Sequence, residues 1–140
     1  MKKSRIKEEK QIEHTLTERK VLEKVEHPFI VSLHFAFQTE YKIYFVMDYY
    51  NGGELFFHLR SKGRFSEETT KFYLANIVLA IEHLHSMNII YRDLKPENLM
   101  LDYTGYIKLT DFGLAKENIT QQNTTQTFCG TPEYLGKVFL

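Results

Sequence analysis

Asp93, Lys95, Asn98 and Asp111 are the residues of this chain whose types and spacing can carry chemistry. The first three lie in Tyr91-Arg92-Asp93-Leu94-Lys95-Pro96-Glu97-Asn98 and the fourth opens Asp111-Phe112-Gly113. Together they suit phosphoryl transfer. That reaction asks little covalent help of a protein, only an acceptor hydroxyl held in line and cations that neutralise the phosphate oxygens. Asp93 can take the proton of the hydroxyl, Lys95 places an ammonium beside the transferring phosphate, and Asn98 and Asp111 offer hard oxygen ligands suited to Mg²⁺. Asp, Lys and Asn near Pro are also common turn residues, and Asp-Phe-Gly alone is a weak signal. The joint occurrence, in this order, is what carries the reading.

The elements that must position these groups follow from the pattern around them. Leu99-Met100-Leu101, a turn at Asp102 to Gly105 and Tyr106-Ile107-Lys108-Leu109 read as a strand hairpin presenting both polar segments at one edge. Upstream, Ile12, Leu16, Arg19, Leu22 and Val25 recur near helical spacing, and His27-Pro28 ends that segment. Val31, Leu33, Phe35 and Phe37 alternate with polar or small residues, and Ile43 to Met47 follows a polar turn, which predicts an antiparallel hairpin. Asp48 to Gly53 breaks the periodicity as a hinge between two lobes. A short helix from Glu54 to Ser61 is ended by Gly63. Ser66 is a good N-cap for a helix running to about Ser86, with Glu67 and Glu68 at the positive end of its dipole. Leu74, Ile77, Val78, Ile81 and Leu84 carry its apolar stripe and Phe72, Ala75 and Leu79 widen it, so it wants cover from several neighbours. Lys116 to Thr127 carries no hydrophobic period and reads as a mobile surface loop.

Composition bounds the rest. With 140 residues, 43% hydrophobic and 14% aromatic, the chain can bury one core but hardly two. Its formal net charge is zero, which gives no global field for nucleic acid or an anionic membrane. The basic start, Lys2, Lys3, Arg5, Lys7 and Lys10, reads as a solvated loop before a helix. One cysteine, Cys129, excludes an intramolecular disulfide and a Cys-rich metal site and fits a reducing compartment, cytoplasm or nucleus. No apolar run approaches membrane-spanning length. The sequons at Asn118 and Asn123 are read as chance matches.

From Thr15-Leu16-Thr17-Glu18-Arg19 to Thr127-Phe128-Cys129-Gly130-Thr131-Pro132-Glu133-Tyr134-Leu135 the chain resembles the AGC group of serine/threonine protein kinases, most of all the protein kinase B (Akt) and serum- and glucocorticoid-regulated kinase families. His27-Pro28-Phe29-Ile30, Tyr44-Phe45-Val46-Met47-Asp48-Tyr49 and Asn51-Gly52-Gly53-Glu54-Leu55-Phe56 carry the match along with the two polar segments, and Tyr91 follows the AGC pattern. The resemblance implies an α+β, two-lobe protein-kinase-like fold: residues 1–47 from the N-lobe, 48–53 as hinge, 54–135 from the C-lobe, and 136–140 as a divergent tail. It implies ATP and Mg²⁺ as cofactors. Asp48 and Tyr50 would meet adenine with backbone groups beside the gatekeeper Met47, Met100 would form the floor, and Glu54 would reach the ribose. Leu22, Leu33, Tyr91 and Phe112 would stack as a spine. Glu18 would be the helix partner of a nucleotide-contacting lysine, and Thr131 would bridge Asp93 and Lys95.

Thr127 is similar to an activation-loop phosphorylation site, its phosphate gripped by Arg92 with His14 and Lys116, which implies an upstream activating kinase. Glu54 and Glu97 would favour protein or peptide substrates with basic residues upstream of Ser or Thr. Two departures stand beside the match. No Gly-rich phosphate loop or strand lysine precedes the helix of Glu18, and Gly136 to Leu140 stand where the family has Ala-Pro-Glu. The expectation is a fold incomplete at both ends, with marginal stability and little activity in isolation. Alternatives are a non-catalytic remnant acting as a binding or competitor protein, or a non-functional gene fragment.

Overall fold

The computed structural model describes residues 1–6, 8–119, 129–131 and 134. After a single 3₁₀ turn at Lys3–Arg5 come helix α1 (Glu9–Leu22), strands β1 (Leu33–Gln38) and β2 (Ile43–Met47), and the two-residue strand β3 (Gly53–Glu54). Helices α2 (Leu55–Lys62) and α3 (Glu67–Ser86) follow, then a 3₁₀ turn at Pro96–Asn98 and strands β4 (Leu99–Leu101) and β5 (Ile107–Leu109). β1 and β2 form an antiparallel pair, and β3, β4 and β5 form a second antiparallel sheet in that order. The α+β, kinase-like architecture read from the sequence is the one observed.

Local chemistry accounts for the helices. Ser66 caps α3, its Oγ accepting from the Thr69 backbone N–H at 3.1 Å, with Glu67 and Glu68 in the first turn. Gly63 ends α2 at φ 72, a left-handed conformation that glycine adopts without a Cβ penalty. At Gly52 the constraint is space: a Cβ there would lie 2.6 Å from Leu101 O and 2.7 Å from Leu101 Cβ. That close approach lets Gly52 N–H donate to Leu101 O at 2.9 Å and brings the segment before β3 against β4.

The core lies where α3, the β4–β5 hairpin and the end of α1 converge. Val21, Ile30, Leu84, Ile89, Tyr91, Ile107, Leu109 and Phe112 are its most deeply buried side chains. Each contributes roughly 1.5 to 3 kcal/mol by leaving water.

Four sequence expectations change. The apolar stripe of α1 meets the core only at its C-terminal end: Leu22 and Val25 are buried, whereas Ile12 and Leu16 are exposed, and Thr15 and Val21, outside the stripe, are buried as well. The helix also begins and ends earlier than its stripe suggested, since Glu23 already caps it. In β1, Phe35 and Phe37 are exposed, and a register irregularity between Leu33 and Phe35 interrupts the alternation. The basic start is tied down as an added edge of the hairpin, with Met1 and Ile43 exchanging hydrogen bonds (2.7 and 2.9 Å) and Lys3 N–H donating to Tyr41 O. Lys116 is also anchored, exchanging backbone bonds of 2.9 Å with Ile90. The expected loop from 120 to 127 and the tail from 136 to 140 lie outside the described residues. On α3, Phe72, Leu74, Val78 and Leu79 stand exposed, as a helix apolar on more than one side would leave them without cover. Among the described residues no helix is long and apolar enough to cross a membrane.

Candidate active site

Two polar segments meet because Thr110, just past β5, bonds back to the end of the Pro96–Asn98 turn. Its N–H and Oγ1 both donate to Asn98 O, at 2.9 and 3.0 Å. Tyr91 closes the same junction from below: its hydroxyl donates to Thr110 O at 2.5 Å, and its buried ring meets Phe112 edge-on at 5.2 Å. Burial pushes the Tyr91 phenol far above its ordinary value, so it remains a proton donor at all relevant pH.

Asp93 is buried and carries the densest set of bonds. Lys95 Nζ pairs with its Oδ2 at 2.8 Å, Asn98 Nδ2 donates to its Oδ2 and its carbonyl at 3.0 Å each, and Thr131 Oγ1 donates to its Oδ1 at 2.8 Å. Lys95 Nζ in turn donates to Thr131 Oγ1 at 3.0 Å. Burial works against the carboxylate, but the bonds from Lys95, Thr131 and Asn98 outweigh it and hold Asp93 below the usual carboxylate range. The hydrogen bond to Asp93 raises Lys95 above its ordinary value. Asp93 is therefore ionised and able to accept further hydrogen bonds.

Asp111 stands exposed, with Gly113 N–H donating to its Oδ1 at 3.3 Å. Glu18 of α1 approaches it: burial, then the Asp111 charge, raise Glu18 from 4.5 to about 7, against a backbone bond from Phe112 that lowers it. Glu18 makes no ion pair among the described residues.

A family model for the protein kinase domain matches residues 1–137. The chain belongs to the protein kinase family. A RAC family serine/threonine-protein kinase homolog of Dictyostelium discoideum is 56% identical over 136 residues, covering 96% of this chain and 31% of that relative. The human serine/threonine-protein kinase Sgk1 is 58% identical over 136 residues, covering 96% of this chain and 32% of that relative. The resemblance to AGC serine/threonine kinases is thus upheld, and the chain spans about a third of the length of the curated relatives it matches. Protein kinases act on protein substrates with ATP and Mg²⁺.

In the segment after β2, Asp48 is held by its side chain, which takes a 2.7 Å bond from His34 Nε2 and a 3.4 Å bond from the Tyr50 hydroxyl. The His34 bond keeps the Asp48 carboxylate below its usual range. Neither Asp48 nor Tyr50 spends its main chain on a backbone hydrogen bond among the described residues, so both leave backbone groups available. Met47 at the end of β2 is exposed, while Met100 lies mid-sheet opposite Glu54 and Lys108. Leu22 is buried in the same core as Tyr91 and Phe112, and Leu33 is half-buried and packs against that core.

A second cleft, of about 460 Å³, gathers His14, Arg92 and Lys116 with Lys10, Lys20 and Cys129. Arg92 adopts φ 69 and donates from Nε to Leu114 O at 2.7 Å, which fixes the guanidinium beside the Asp-Phe-Gly segment. Thr127 lies outside the described residues. Sequence reasoning missed Lys10 and Lys20, although positions 10, 14, 17 and 20 recur with a helical period on α1 and would have marked one polar face. Glu97 Oε2 is buried without a hydrogen-bond partner among the described residues.

Proposed function

We propose that the chain is the catalytic part of an ATP- and Mg²⁺-dependent serine/threonine protein kinase of AGC type. The observation that carries this reading is the Asp93–Lys95–Thr131–Asn98 cluster: one ionised, buried carboxylate tied by three side-chain donors, with an exposed Asp111 in the neighbouring segment. In this reading Asp93 accepts the proton of the substrate hydroxyl, and Lys95 keeps an ammonium at the transferring phosphate. Thr131 holds the two in register. When bound, ATP with Mg²⁺ supplies the phosphoryl group.

The donor set fits that cofactor. Asn98 commits its amide nitrogen to Asp93, leaving the amide oxygen, and Asp111 offers a carboxylate. Among the described residues no three His, Cys, Asp or Glu side chains form a cage, and Mg²⁺ is characteristically held by one or two protein oxygens plus substrate phosphates. Asp48 and Tyr50 would meet adenine with their free main chain, next to Met47 and above Met100, with Glu54 at the ribose. His14, Arg92 and Lys116 would grip a phosphate on Thr127 placed there by an upstream kinase. Glu54 and Glu97 would select basic residues upstream of the acceptor. Residues 1–47, 48–53 and 54–135 would then be N-lobe, hinge and C-lobe.

The test is a thermal shift of the full polypeptide with Mg²⁺-ATP, alongside phosphorylation of an Arg-containing peptide. Stabilisation that disappears in Asp111→Ala, and turnover that disappears in Asp93→Asn, are the expected results. The alternative reading is a kinase-derived binding protein that does not turn over substrate. Peptide binding without turnover in the full polypeptide would establish that one instead.

A further inference from the structure

His27 and His83 lie apart from the site above and meet ring on ring. Their centroids are 4.9 Å apart and their planes 25° apart, so the turn after α1 rests on α3 through two imidazoles. His27 Nδ1 accepts from the Phe29 N–H at 3.1 Å, which leaves Nε2 to carry the proton of the neutral ring. His83 Nε2 is buried with no hydrogen-bond partner among the described residues. A proton taken up there would be a buried donor without an acceptor.

The charges around the pair add to this. Burial, His83 on α3 and Lys108 on β5 together push the His27 imidazole below its ordinary value. Lys108 is fixed in place, its Nζ donating to Pro28 O and lying 5.7 Å from the centre of the Tyr50 ring. Glu26 and Glu82, the nearest acids in sequence, are exposed to solvent. On its other side the turn is pinned to β5 by main-chain bonds from Val31 to Leu109 (3.0 Å) and from Leu109 to Phe29 (2.9 Å).

We propose that the His27–His83 stack is a proton-sensitive latch, holding the turn after α1 against α3 while the His27 ring is neutral and releasing it when acidification charges that ring against the second imidazole. A histidine whose value is depressed in the latched form takes its proton more readily in the released one. The latch is therefore complete above the ordinary value of about 6.5 and is lost as pH falls below it. Because the same turn continues from α1, release loosens the helix that brings Glu18 to Asp111 and Phe112.

The experiment uses the full polypeptide with labelled histidine, following ring resonances by NMR and amide-exchange protection of residues 27–31 between pH 7.5 and 5.5. His27 is expected to titrate below the ordinary value and to move toward it in His83→Phe, which keeps a ring in the stack but removes the second proton site. Protection of residues 27–31, corrected for intrinsic exchange, is expected to fall several-fold on acidification in the wild type and to hold in His83→Phe. His27→Gln, which removes the pair from the other side, serves in its place if His83→Phe does not fold. An ordinary titration of His27, or an equal loss of protection in wild type and variant, would overturn the proposal.

Discussion

Replacing Thr131 by Val tests the catalytic geometry at its most informative point. The side chain keeps its volume and branching but loses the hydroxyl that accepts from Lys95 at 3.0 Å and donates to Asp93 at 2.8 Å. A hydrogen bond to a charged group contributes about 1.5 to 3 kcal/mol, which converts to roughly 10- to 150-fold in rate if it is needed where the proton moves. Asp93 would retain Lys95 and Asn98, so its charge survives while its orientation does not.

The pH dependence gives the sign. In the native site burial raises the Asp93 carboxyl, and the three side-chain donors more than reverse this, so the ionised form persists well below neutral pH and is lost only as pH falls through the depressed value. Removing one donor shifts the balance toward burial, and the acid limb of kcat/KM moves to higher pH. The assay is steady-state phosphorylation of an Arg-containing peptide by the full polypeptide, carried from pH 8 down through the ordinary carboxylate value of about 3.9, with KM for ATP as control. The expected result is a kcat reduced at least tenfold, an acid limb moved upward and an unchanged KM for ATP. A kcat within twofold of wild type with the acid limb in place would refute the claim that Thr131 holds Asp93 for proton transfer.

Three further outcomes follow from the structure. Glu18→Gln is expected to raise the melting temperature at pH 8 and to change little at pH 4.5. A carboxyl raised to about 7 contributes stability below its unfolded value that is lost as pH rises through 7. The difference is at most roughly 3 kcal/mol, less for a group that is only half-buried, or about 4 to 10 °C by calorimetry. Gly52→Ala should destabilise by about 1 to 3 kcal/mol in denaturant titrations, because Leu101 O and Asp102 O, at 2.6 and 2.9 Å from the new Cβ, are backbone atoms that cannot step aside. Glu97→Lys should abolish the preference for Arg upstream of the phosphorylated residue in a peptide-array comparison, and an unchanged preference would remove Glu97 from the substrate groove.

The sequence was most legible where the determinants are local. The Ser66 cap, the apolar run of β2 from Ile43 to Met47 and the β4–β5 hairpin depend on neighbours within a few positions, and all three appear where the pattern put them. Long-range pairing was not legible in that way. The bridge from Ile90 to Lys116, the Met1 edge on β2 and the two-residue β3 add backbone bonds with no side-chain period to announce them. The exposed Ile12 and Leu16 show the opposite failure, in which a correct helical period does not reveal which neighbour covers it. At the site, residue types alone pointed to Asp93, Lys95, Asn98 and Asp111. Thr131, 36 positions beyond Lys95, was reached only through family resemblance, since no spacing rule links them.

What positions the two segments is a pair of backbone turns that no side-chain pattern encodes. Arg92 and Asp111 both adopt left-handed conformations, at φ 69 and φ 56, and neither is glycine. Such residues cost about 1 to 3 kcal/mol each and persist only where the surroundings over-determine them. Here each is flanked by one ring of the buried pair, Tyr91 before Arg92 and Phe112 after Asp111, and the two rings pack against each other in the core. With these backbone conformations an aromatic goes inward beside each residue while Asp111 stays exposed and Arg92 reaches Leu114 O. The core and the polar site are thus the two sides of one junction. Burial of Tyr91 and Phe112, worth roughly 1.5 to 3 kcal/mol apiece, offsets the strain that sets the geometry of the acids. A substitution that shrinks either ring would therefore act on Asp93 and Asp111 without touching them.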